Sequence, residues 1–183
     1  MRKHCLLALL PIAIVLTGCA NNVNLLSHKE ADYQSRLGRT LLVTSTPDEA
    51  LDINGPIKLN AHYYARVVDN LKTGLEERGV PTVVLKLDRL ALEPKHLVEQ
   101  AVKNHGATVV LALDLAQRTM RRQGQAYSQS YQLRATLTDL AQQRTVWQTS
   151  MNVVQDYNAF TMDSNMQDIA AKVIGALEQE KLL

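Results

Sequence analysis

Between Arg39 and Leu115 the sequence alternates between two hydrophobic patterns, and this alternation limits the available folds more than any other feature. "RTLLVTS" is a short apolar run bounded by polar residues, which is how a buried strand reads. After the turn signal Asn54-Gly55-Pro56, the residues Tyr64, Val67, Val68, Leu71 and Leu75 recur at three and four positions. They form the apolar stripe of a helix, and Gly79 supplies its left-handed stop. "PTVVLKL", Pro81–Leu87, is a second strand. Pro94 opens a second helix, with Leu97, Val98, Ala101 and Val102 expected inward and Gly106 ending it. "ATVVLALDL", Ala107–Leu115, is almost continuously apolar and β-branched, as in a central strand covered on both faces. Strands and helices alternating over so short a span require parallel strands joined by right-handed crossovers.

The pattern then changes to a period of two. Tyr127, Tyr131, Leu133, Ala135 and Leu137 alternate with polar residues, "DLAQQ" turns the chain, and "RTVWQTSMNVV" returns it with Trp147 and Met151 on one side. This is an antiparallel hairpin with one wet face. A last helix is expected to start at Ser164, with Gln167 completing a capping box, and to present Met166, Ile169, Ala170, Val173 and Leu177. The fold class is therefore α/β: a single domain over Arg39–Leu183 with a mixed, roughly five-stranded sheet.

The ends of the chain bear on compartment. Met1-Arg2-Lys3-His4 is basic, and the 14 residues Cys5–Gly18 carry no charge, as in an export signal. A membrane-spanning helix needs about 20 residues, and Pro11 interrupts this run. The run ends Leu16-Thr17-Gly18-Cys19, which resembles a bacterial lipobox: an aliphatic residue, two small residues and a cysteine. That resemblance implies a signal peptide over 1–18, a diacylglyceryl group on the Cys19 thiol, and cleavage before Cys19. A plain secretory cleavage near Gly18 is the alternative. Ala20, Asn21 and Asn22 follow, without the Asp that retains such products in the inner membrane of enterobacteria, which implies the outer membrane with the body in the periplasm. Ala20–Gly38 is polar and reads as a lipidated tether that could extend about 60 Å.

Removing the signal also changes the charge count. The chain has 20 Lys+Arg and 18 Asp+Glu; without Arg2 and Lys3 the two are equal. No global field then attracts nucleic acid or an anionic membrane. With Cys5 removed and Cys19 acylated, no thiol is left for a disulfide or a catalyst.

The element order, the strand "VVLALDL" and the hairpin "YQLRATLTDLAQQRTVWQTS" together resemble small periplasmic lipoproteins with a TolB amino-terminal-like domain. In that group the hairpin carries an Asp near its turn, then a basic residue and a Val-Trp pair, matched here by Asp139, Arg144, Val146 and Trp147. The group includes penicillin-binding-protein activators and lipoproteins of curli secretion and exopolysaccharide export. The resemblance implies binding to other envelope proteins or self-association into rings, with no catalytic apparatus.

Chemistry is otherwise sparse. His28, His62, His96 and His105 have no ligand-like spacing, so no metal is expected. Ser45 in "TSTPDE" and Asp114 at the end of the central strand lack a G-x-S-x-G turn, and no phosphate-binding glycine motif occurs. No cofactor, nucleic-acid partner or catalytic residue is expected. The tyrosines and Trp147 read as packing residues. The most distinctive surface feature is "QRTMRRQGQ", where Arg118, Arg121 and Arg122 are expected on a loop or strand end with Gly124 turning the chain. This cluster reads either as a grip on an anionic partner or as a solvated edge. A lipid or glycan carrier and, behind it, a hydrolase are the other function classes left open.

Overall fold

The structure of the protein is a computed structural model that describes residues 24–45, 61–88, 90–123, 126–156 and 162–183. Its strands are β1 (Asn24–Lys29), β2 (Thr40–Ser45), β3 (Thr82–Leu87), β4 (Val109–Gln123), β5 (Ala126–Asp139) and β6 (Arg144–Asp156). Its helices are α1 (Ala61–Glu76), α2 (Pro94–His105) and α3 (Met162–Gln179). The strands form one mixed sheet in the order β1-β6-β5-β4-β2-β3. β2 runs parallel to β3 and β4, as the crossovers require, while β4, β5, β6 and β1 pair antiparallel in succession.

α1 and α3 cover one face. Leu42 from β2, Leu111 and Leu113 from β4, Leu133, Ala135 and Leu137 from β5, and Trp147 and Met151 from β6 point into this layer. Val68 and Leu71 of α1 and Val173 and Leu177 of α3 meet them there. α1 and α3 are in close contact at Gly74, where a Cβ would run into the Ile174 side chain. Gly79 and Gly106 adopt the left-handed conformation that ends α1 and α2.

Four expectations change. First, the sheet has six strands, because the segment expected as tether supplies β1, and Tyr33 within it is buried in the core at 1% exposure. Second, β4 is central, but among the described residues its second face is only half-covered: Leu111 and Leu113 are buried, whereas on the other face Val110 and Ala112 are half-buried and Asp114 is exposed. The strand sealed on both faces is β2, where every residue from Thr40 to Thr44 is buried. Third, α2 lies over β2 and β3 with no fully buried residue, and Leu97 is 40% exposed. Nothing is layered outside it among the described residues, so its stripe is half-covered. Fourth, α3 begins at Met162, two residues before Ser164, which places that serine in the first turn.

Candidate functional site

Two features distinguish this molecule: a clamp made by the β5–β6 hairpin on the amino-terminal segment and, at the opposite end of the sheet, an arm in which β4 and β5 extend past β1 with β6 alongside as far as Asp156.

The clamp is made by the hairpin residues that carry the sequence resemblance. Asp139 closes the β5–β6 turn, accepting from the Gln142 N–H through Oδ1 at 2.9 Å, while its Oδ2 accepts from the Tyr33 hydroxyl at 3.0 Å. Arg144 donates from a terminal guanidinium nitrogen to Asp32 Oδ2 at 2.7 Å, and its Nε is fixed by Gln142. The Val146 carbonyl accepts from the Glu30 N–H at 3.0 Å. Trp147, 1% exposed, donates from Nε1 to Ser27 Oγ at 2.8 Å. All four residues therefore hold Ser27–Tyr33. Thr149 adds a bond to the Leu26 carbonyl, and Lys29 reaches the Glu180 carbonyl at the end of α3.

The clamp's electrostatics follow from these contacts. The Arg144 hydrogen bond holds the Asp32 carboxyl below its ordinary range, and Asp32 raises Arg144 in return. Burial, reinforced by the Asp139 carboxylate, pushes the Tyr33 phenol up to about 12. A second buried phenol, Tyr64, accepts from Thr44 Oγ1 at 2.9 Å and donates to the Leu113 carbonyl at 2.7 Å. It too is pushed up to about 12 by burial. Both tyrosines are thus committed to structural hydrogen bonds.

Arg118, Arg121 and Arg122 lie in β4, not in a loop. Past a bulge between Leu115 and Gln117, β4 continues to Gln123 in register with β5, pairing Arg118 with Tyr131, Arg121 with Ser128 and Arg122 with Tyr127. Regular backbone pairing sustains this stretch where the hydrophobic pattern lapses. Gly124, expected to turn the chain, lies outside the described residues, as do Cys19 and the whole signal segment.

The face of β1, β6, β5 and β4 opposite α1 and α3 is open and polar. Leu26, His28, Gln132, Arg134, Gln148 and Ser150 line a shallow groove of about 340 Å³ there. Asp114 stands opposite Arg134 in register; although the residue is exposed, the surrounding protein partly desolvates its carboxyl and raises it, and Arg134 draws it back. Ser45 ends β2, next to β4, whereas His28 is on β1, three strands away from β4. Ser45 and His28 are therefore not brought together. Among the described residues no group of three or more His, Cys, Asp or Glu is placed to hold a metal. None of the described helices is long and apolar enough to cross a membrane.

No family model matches the chain, and no curated protein matches it by sequence. Among solved structures it is similar to PelC from Paraburkholderia phytofirmans, a dodecamer. The identity is 15% and the TM-score 0.51, over 84% of this chain and 96% of that one. A variant of the same PelC dodecamer gives 13% identity and a TM-score of 0.52 over the same shares. A lipoprotein from Neisseria meningitidis is more distant, with 13% identity and a TM-score of 0.43, over 75% of this chain and 99% of that one. At these identities the likeness is one of fold.

Proposed function

We propose that the chain is a non-enzymatic lipoprotein of the cell envelope. Acylated Cys19 holds it to the outer membrane with its domain in the periplasm, where it binds other envelope proteins or further copies of itself in assembly, export or regulation. The observation that carries this reading is the clamp. Five residues after the lipobox cysteine the chain enters the sheet, and the hairpin positions that carry the resemblance, Asp139, Arg144, Val146 and Trp147, all hold it there. Such an arrangement suits a body held in a fixed relation to its anchor. Among the described residues, fully buried side chains such as Leu42, Val68, Leu71 and Leu111 pack between sheet and helices, which favours an interaction module over a carrier with an apolar cavity.

The likeness to a dodecamer supports self-association as the form of that interaction. Leu26 on the edge strand β1 is 78% exposed; Leu90 and Leu92, beside the other edge strand β3, are 84% and 97% exposed. Two different apolar patches at opposite edges suit a head-to-tail contact, which closes into a ring when the rotation permits. The native mass of the detergent-extracted protein tests this. We expect a particle many times the chain mass, reduced to a monomer by Leu92→Asp with the fold intact by circular dichroism. A lipidated monomer in the unsubstituted protein would leave a tethered module acting on another protein and would end the ring reading.

A further inference from the structure

We propose that the β4–β5 arm is a second membrane contact: it stands on the phospholipid headgroups of the same bilayer that holds the Cys19 anchor. This inference rests on that anchor and adds the orientation of the domain.

The argument is one of length and register. Asn24 at the start of β1 pairs with Asn152, which pairs with Gln132, which pairs with Gln117. These four residues mark one level across the sheet. Beyond it, toward the side from which the amino terminus arrives, β5 continues for the six residues back to Ala126 and β4 for the six up to Gln123. At the rise of an antiparallel strand, six residues reach about 20 Å. The link from Cys19 to Asn24 is five residue steps, which span at most about 18 Å when fully extended. Link and arm are thus of comparable length, so with the strands upright on the bilayer the anchor holds the end of the arm close to the headgroups. The clamp prevents any release of β1 that would lengthen the link, because Ser27–Tyr33 is held at both backbone and side-chain level.

The arm's composition fits that position. The run Leu115–Ala135 contains Arg118, Arg121, Arg122 and Arg134 and no acidic residue, in a mature chain whose basic and acidic residues balance overall. Two acids flank it: Asp114 precedes the run and pairs with Arg134, and Asp156 at the end of β6 pairs with Ser128, itself the partner of Arg121, so the arm beyond Gln117 and Gln132 sets three arginines against one aspartate. Two of the arginines are register partners of tyrosines, Arg118 with Tyr131 and Arg122 with Tyr127. Arginine binds phosphate bidentately, and tyrosine is enriched at the headgroup level because its ring is apolar and its hydroxyl wet. Basic residues near an anionic surface each strengthen attachment about fivefold.

The processed, lipidated protein is reconstituted in nanodiscs of phosphatidylethanolamine with phosphatidylglycerol that include a headgroup-labelled quencher lipid. With Cys19 acylated the chain has no other thiol, so Gln123→Cys and, separately, Gln142→Cys on the turn at the other end each accept one fluorophore. The expected result is quenching at position 123 and none at 142. Arg121→Glu with Arg122→Glu should reduce the quenching severalfold, and high salt should do the same, while Arg121→Lys with Arg122→Lys retains it. Acylated, disc-bound protein with position 123 as unquenched as 142 would overturn the proposal. So would quenching indifferent to charge reversal, or a charge reversal that alters only particle mass, which would assign the arm to contact between copies. Failure of the anchor itself gives a different result: a chain without acyl mass that does not co-purify with the discs.

Discussion

At the scale of single residues, the clamp explains why a short hairpin pattern carries so much of the resemblance. Asp139 is nearly buried and both its oxygens are engaged, so removing a partner leaves a polar group unsatisfied. Tyr33→Phe should therefore cost about 1–3 kcal/mol in urea unfolding. The two raised phenols also set an alkaline limit. Below pH 10 they are protonated in both the folded and the unfolded chain. Between pH 10 and about 12 the unfolded chain ionises while the folded one holds its protons, so stability falls across that window. Tyr64→Phe should flatten the fall, which unfolding curves at stepped pH would measure. Asp139, Arg144 and Trp147 were legible in the sequence as a pattern, but not as a clamp. Their partners lie 106, 112 and 120 residues away, and contacts at that separation leave no local periodicity.

At the scale of elements, legibility followed burial. β2, α1, β3, α2, β5, β6 and α3 each bury at least part of an apolar face, and that face imprints a period on the sequence. The continuation of β4 through "QRTMRRQ" has no such imprint, because that stretch is polar and is held by backbone pairing with β5. β1 is only six residues long and is an edge strand, so "NLLSHK" was read as tether. Two substitutions test the packing and the turn. Gly74→Ala should destabilise by about 1–3 kcal/mol, because its methyl would meet Ile174 where α1 and α3 touch. Gln143 holds a left-handed conformation in the β5–β6 turn, so Gln143→Gly should be neutral or stabilise by up to about 1 kcal/mol. Thermal unfolding of the two variants side by side would show opposite shifts.

At the scale of the whole molecule, a closely packed core and an amino-terminal strand locked into the sheet five residues after Cys19 support the proposal of a body mounted on a lipid anchor. The α/β class and the mixed sheet were readable from the order of patterns. The proposed orientation was not, since it depends on how far the arm extends past the first residue of β1. The lipid on Cys19 remains the foundation of the account. The measurement that tests it most directly is the intact mass and amino-terminal peptide of the chain extracted from bacterial membranes, beside Cys19→Ala. The account predicts a mature chain starting at Cys19 and carrying acyl mass, with the alanine variant unacylated and absent from the membrane fraction. A full-length chain, or a mature chain with a free Cys19 thiol, would contradict it.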